Sequence, residues 1–160
     1  MAKNKKPSKK YKPKHVRLNP MGFVMESMSS LKSHTSFMLN LKIRNHGSLT
    51  LLTTGKGNQW DIETMIEMVN ITEAFARLGF GQDYSNVIND GLMAVRSVGR
   101  RGVETGSFVM RSAEMNALNE VMDLFDAQME MVTLKDMDSA IALINEERRQ
   151  KKMTPIVEKQ

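Results

Sequence analysis

The 160-residue sequence contains no cysteine. A disulfide framework, a thiolate nucleophile and a cysteine metal ligand are therefore excluded. The absence fits a reducing cytoplasm. Proline is scarce: four residues, at 7, 13, 20 and 155, and none between 21 and 154. Proline breaks helix interiors and central strands, so the proline-free span reads as an uninterrupted ordered body. No apolar run approaches the roughly 20 residues needed to span a bilayer. Met21–Leu31 follows a basic N-terminus, as the apolar part of a signal peptide would, but Glu26, Ser27, Ser29 and Ser30 break it.

Signs of catalysis are equally thin. The three histidines are His15, His34 and His46, and none stands four residues from another. The HExxH and Cys/His zinc patterns are missing, so no metal is expected. Gly55-Lys56-Gly57 and Gly79-Phe80-Gly81 imitate phosphate-binding glycine motifs. Neither has the GxxxxGK[ST] or GxGxxG spacing, and both read as loops. His46 reads as a hydrogen-bonding surface residue in a turn. No GxSxG or Ser-His-Asp arrangement and no general acid–base pair can be argued. A protein without cofactor and without catalysis is expected.

Acidic residues are missing from one place in particular. The first seventeen residues, MAKNKKPSKKYKPKHVR, hold eight Lys or Arg and no acid. The other 143 residues hold fifteen basic and all eighteen acidic residues, so the formal charge is +8 on the leader and −3 on the rest. A basic arm on a mildly acidic body suits an anionic partner. Lys5, Lys6, Lys9, Lys10, Lys12, Lys14 and Arg17 can neutralise phosphates and release counterions. Tyr11 can stack on an unpaired base, and His15 adds charge below neutral pH. The same leader also suits an acidic protein surface or a plain solubilising tail. Its lack of an apolar face argues against a membrane. In a eukaryotic cell it would resemble a nuclear localisation signal.

The body reads as helices. In Ser112–Val132, residues Met115, Leu118, Met122, Phe125, Met129 and Val132 are spaced 3, 4, 3, 4, 3 and form one apolar stripe, widened by Val121, Leu124 and Met131. Thr133 with Asp136 matches an N-terminal capping box for the next helix, whose stripe is Met137, Ala140, Ile141 and Ile144. That helix runs into EERRQKK, whose late cations suit a helix C-terminus, and Pro155 closes it. Asp61–Leu78 is a third helix, stopped by Gly79, and Tyr84–Val98 a fourth, weakened by Gly91. Met21–Leu31 is a short first helix. The fifteen methionines read as leucine substitutes in this core, although methionine also suits adaptable binding surfaces.

Glycines cluster at 47, 55 and 57, at 79 and 81, and at 99, 102 and 106, and read as breaks between elements. Arg96, Arg100 and Arg101 then form, with Gly99 and Gly102, a basic turn able to hold a phosphate: a secondary basic patch. Arg148, Arg149, Lys151 and Lys152 make a further cluster that the helix dipole already explains. Segment 36–54 reads locally in two ways. Phe37, Leu39, Leu41 and Ile43 alternate with polar residues and Met38, and Asn45-His46-Gly47 would turn into a second strand, giving a hairpin. Met38, Leu41, Asn45, Leu49 and Leu52 also lie at helical spacing.

Lys9-Lys10-Tyr11-Lys12-Pro13-Lys14 resembles a leader found on small proteins of bacteriophages and prophages. The resemblance extends through Asn45-His46, Gly55, Asn70-Ile71 and Leu124–Glu130 and so covers most of the chain. It implies a phage origin, a mostly helical body and the cytoplasm of a bacterial host; it carries no active site. Together with the helical spacing it favours helix over hairpin at 36–54. The expected fold is thus all-α: a bundle of about five to six helices over 21–153, a flexible basic arm at 1–20 and a tail at 154–160. An α+β fold with a hairpin at 36–54 is the alternative. The leading functional expectation is an accessory protein that binds nucleic acid, DNA or RNA, through the arm. An inhibitor or adaptor of a host defence or regulatory complex is the rival. A component of assembly or packaging is the third reading, and a homo-oligomer is compatible with each.

Overall fold

The computed structural model of the chain describes residues 27–150. Over that span it is an all-α bundle of five helices: α1 Thr35–Thr53, α2 Gln59–Arg77, α3 Ser85–Thr105, α4 Ser112–Met131 and α5 Leu134–Arg149. Short 3-10 turns at Leu31–Ser33 and Gln82–Tyr84 precede α1 and α3. No strand occurs among the described residues; an isolated antiparallel bridge joins Ser30 to Thr133.

Segment 36–54 is therefore helix, not hairpin. Gly47 lies inside α1 and does not adopt the positive φ that a tight hairpin turn uses. Helix formation lets Met38, Leu49 and Leu52 reach the core together. The apparent alternation wraps round the helix instead, leaving Phe37, Leu39 and Ile43 exposed. α1 stops where Gly55 turns to φ 74°.

The start of α2 is written in two residues. Asn58 Oδ1 accepts from the Trp60 amide at 2.8 Å, and Asp61 Oδ2 accepts from the Asn58 amide at 2.9 Å. Asp61 is buried as well, and its other oxygen accepts from Ser48 Oγ of α1 at 2.9 Å. One carboxylate thus caps α2 and docks it on α1. Gly79, at φ 104°, ends the helix. Leu78, the expected last residue of this helix, lies beyond the last helical residue and is exposed.

Helix α3 overturns the reading of its glycines as breaks. It runs past Val98 to Thr105, through Gly99 and Gly102, and ends only at Gly106, φ 74°. Gly91, Ala94, Val95, Val98, Gly99 and Gly102 are buried together on one face. A Cβ on Gly91 would sit 2.4 Å from Val121 Cγ2, and one on Gly102 would sit 2.1 Å from the Phe108 ring. Here glycine lets neighbouring elements approach closely, and this is what the sequence misreads as a turn.

Helix α2 is the central element and packs against the other four; α4 lies beside it with Leu118, Val121, Met122, Phe125 and Met129 buried. Met115 and Leu124 are half-buried, and Met131 is exposed, so the widened stripe is narrower at its end. Thr133 and Asp136 form the expected capping box: the Thr133 amide donates to Asp136 Oδ2 at 2.9 Å and the Asp136 amide to Thr133 Oγ1 at 3.2 Å. On α5, Met137, Ala140 and Ile144 are buried while Ile141 is exposed. Most methionines among the described residues serve as core: Met65, Met68, Met122 and Met129 are fully enclosed with Phe75 and Phe125. Each such side chain contributes about 1.5–3 kcal/mol by its burial.

Of the short first helix expected at Met21–Leu31, residues 21–26 lie outside the described residues. Met28–Ser30 is not helical: the Leu31 amide donates to Val132 O at 3.0 Å and the Leu134 amide to Ser29 O at 3.2 Å. Burying Leu31 against the α4–α5 junction takes precedence over helix continuation there.

Candidate nucleic-acid interface

The primary candidates, Lys5, Lys6, Lys9, Lys10, Tyr11, Lys12, Lys14 and Arg17, lie outside the described residues, as do Lys151 and Lys152. The body contributes the secondary patch, which splits in two. Arg96 and Arg100, four residues apart in α3, occupy its exposed outer face. No acid among the described residues pairs with either. Met93 and Val103, both more than half exposed, continue the same face. Two free guanidinium groups between apolar side chains can meet phosphate and sugar, or stack on a base.

Arg101 points elsewhere. Its Nη2 lies 2.6 Å from Glu114 Oε2 and its Nη1 3.0 Å from Glu114 Oε1, a two-pronged ion pair between α3 and the first turn of α4. Nη2 also donates to Val109 O at 2.7 Å. Ser97 Oγ donates to Glu114 Oε1 at 2.7 Å and the Arg111 amide to Glu114 Oε2 at 2.7 Å. Burial pushes the Glu114 carboxyl up, but the hydrogen bonds from Arg101, the Arg111 backbone and Ser97 outweigh it and hold it at about 2, down from 4.5. The same contact raises the Arg101 pKa. Arg101 is thus a structural cation, and the phosphate-holding turn does not exist, because α3 continues through it.

Other charged groups have similarly local duties. His46 lies within α1, not in a turn, and its Nε2 is 2.9 Å from Asp126 Oδ2 of α4. Arg149 sits 3.7 Å from Glu146 one turn back. No group of three His, Asp or Glu residues that could hold a metal ion occurs among the described residues. No described helix is long and apolar enough to cross a membrane.

A second surface escaped the sequence reading. Helix α1 contains no acid, and its cations Lys42 and Arg44 lean towards Asp126 and Glu130 of α4 and towards Glu67 of α2. Its outward face, Leu39, Ile43, Gly47 and Leu51 at four-residue spacing, carries no charge at all, and the three large residues are exposed. The signal was present in the sequence as a 19-residue helix without Asp or Glu, but periodicity alone could not say which side faced out.

The fold and these surfaces define a small helical bundle with a pair of exposed arginines on α3 and an uncharged apolar stripe on α1. No family model, curated protein or solved structure matches the chain.

Proposed function

We propose that the protein is a non-catalytic bacteriophage accessory protein of the host cytoplasm that binds nucleic acid through its basic arm. The segregation of charge carries this reading: eight cations and no acid in seventeen residues, on a chain whose remainder is net acidic. Arg96 and Arg100 support it as a second contact, since both are exposed and free of acidic partners among the described residues. Phosphate neutralisation is sequence-independent, so the arm holds any nucleic acid of adequate charge density.

Titration against duplex and single-stranded oligonucleotides at several salt concentrations tests this. Each duplex phosphate neutralised contributes about −0.9 to the log–log slope of affinity against salt, so four engaged cations give roughly −3.6. Replacing Lys9, Lys10, Lys12 and Lys14 by Ala flattens the slope. Tyr11→Ala weakens single-strand binding more than duplex binding, because only unpaired bases expose a face for stacking. Absence of binding at low salt overturns the proposal.

The exposed, uncharged stripe of α1 favours a second reading, in which the body is an inhibitor or adaptor that docks a host protein through Leu39, Ile43 and Leu51. Capture of one host protein by the chain, abolished by Ile43→Glu, replaces the first reading if oligonucleotide binding is undetectable.

A further inference from the structure

Between α3 and α4 runs an open groove of about 460 Å³. Tyr84 and Val87 form one wall, Leu124 and Met131 the other, and Glu120 and Asp123 stand along its rim. Tyr84 and Met131 are each more than half exposed, an unusual state for large apolar side chains that face one another across a cleft. No cation among the described residues pairs with Glu120 or Asp123, whereas half-buried Asp126 and exposed Glu130 of the same helix do have partners. In the floor, Gln128 is fully buried; its Nε2 donates to Thr72 O and Phe80 O, while its Oε1 accepts nothing. The groove therefore offers apolar walls and two unmatched carboxylates. Such a cleft fits a short basic peptide carrying an aromatic ring.

The chain has such a peptide, and it approaches from the right place. The described residues begin beside the groove: Ser29 and Leu31 are hydrogen-bonded to Leu134 and Val132, immediately after Met131. Lys14 and Ser27 stand thirteen positions apart in the chain, a reach of up to about 43 Å when extended. Along the groove wall Met131 and Glu120 stand eleven helical steps apart, about 16 Å.

We propose that this groove is the docking site of the chain's own leader, with Lys9–Lys14 paired to Glu120 and Asp123 and Tyr11 laid over Leu124 and Tyr84. Docked there, the leader's cations are engaged by the groove and not by an anionic polymer. The docking does not depend on the nucleic-acid reading: it requires only the groove and the leader.

The test uses the full chain. Because the protein lacks cysteine, Ser8→Cys accepts a single paramagnetic label, and amide signals report where the label dwells. Glu120, Asp123, Ala127 and Met131 should lose intensity. They should regain it in 1 M salt, where the screening length is about 3 Å, and in the Glu120→Gln/Asp123→Asn variant. Both substitutions are at exposed positions, and an unchanged melt shows that the fold is intact. Even broadening over the whole surface, or broadening centred on the outward face of α1, overturns the proposal. So does broadening of equal size when the label is carried only on a second, mixed-in copy. Oligonucleotide affinity scores the functional reading separately. If both hold, the double variant binds more tightly, by up to about fivefold for each carboxylate removed. If the chain binds no oligonucleotide at all, the functional reading fails while the broadening pattern still decides the docking.

Discussion

The guanidinium of Arg101 grips the carboxylate of Glu114 with both prongs, at 2.6 and 3.0 Å, and so joins the last turns of α3 to the first turn of α4 across the loop between them. Glu114 also accepts from the Arg111 amide, so it caps the helix it belongs to while it holds the helix before it.

Glu114→Gln should destabilise the fold by about 2–3 kcal/mol, because it leaves Arg101 and the cap without their charged acceptor. The pH dependence follows from the sign of the shift. A carboxyl lowered from 4.5 to about 2 by folding contributes its full stability above pH 4.5 and loses it as pH falls towards 2. Urea unfolding across that window should show a slope in the parent that is shallower in the variant. Parallel curves would mean that the ion pair adds nothing.

Two glycines should respond to alanine with opposite signs. Gly47 has nothing within 4 Å of a built Cβ, so Gly47→Ala should stabilise the helix by about 0.5–1 kcal/mol. At Gly91 the added carbon meets the stiff Val121 side chain at 2.4 Å. Overpacking of about 1–3 kcal/mol then outweighs the helix-propensity gain of about 1. Thermal melts of the two variants should move apart; a rise for both would refute the close approach of α3 to α4.

Phe125 is 1% exposed, at the centre of the α4 stripe. Phe125→Ala should cost about 3–5 kcal/mol in chemical denaturation. A change within about 0.5 kcal/mol would place the ring at the surface and refute the packing described.

The arginines of α3 should separate binding from stability. Arg96→Ala and Arg100→Ala should leave the melt unchanged and, if nucleic acid reaches this face, each should reduce the salt slope by about 0.9. Arg101→Ala should lower the melting temperature, since it strips Glu114 of its partner. Equal effects of all three on binding, with no loss of stability, would restore the three-arginine patch.

What the sequence disclosed depended on how far apart the deciding residues lie. The cap at Thr133 and Asp136 and the stripe from Leu118 to Met129 are local patterns, and both stand in the fold. Gly99 and Gly102 were unreadable for the opposite reason: glycine ends a helix or permits close packing. At Gly102 the choice rests with Phe108, which comes after the helix has ended, and at Gly91 it rests with Val121, thirty residues further on. Arg101 was misplaced because its partner Glu114 lies across a loop whose course no periodicity records. In α1 the alternation of Phe37, Leu39 and Ile43 imitated a strand, and only the shared burial of Met38, Leu49 and Leu52 shows why helix prevails. The charge of the leader was plain in composition, whereas the groove that complements it joins Tyr84 to Met131 and required the fold.

The backbone bridge of Ser29–Leu31 to Val132–Leu134 also decides where tension enters the molecule. A long polymer or a partner that drags on the leader pulls against these two hydrogen bonds before it can strain α1. The load passes to the end of α4, beside the buried side chains of Met129 and Val132. The outward stripe of α1 lies beyond this clamp, so tension on the leader meets the α4–α5 junction before it meets that stripe.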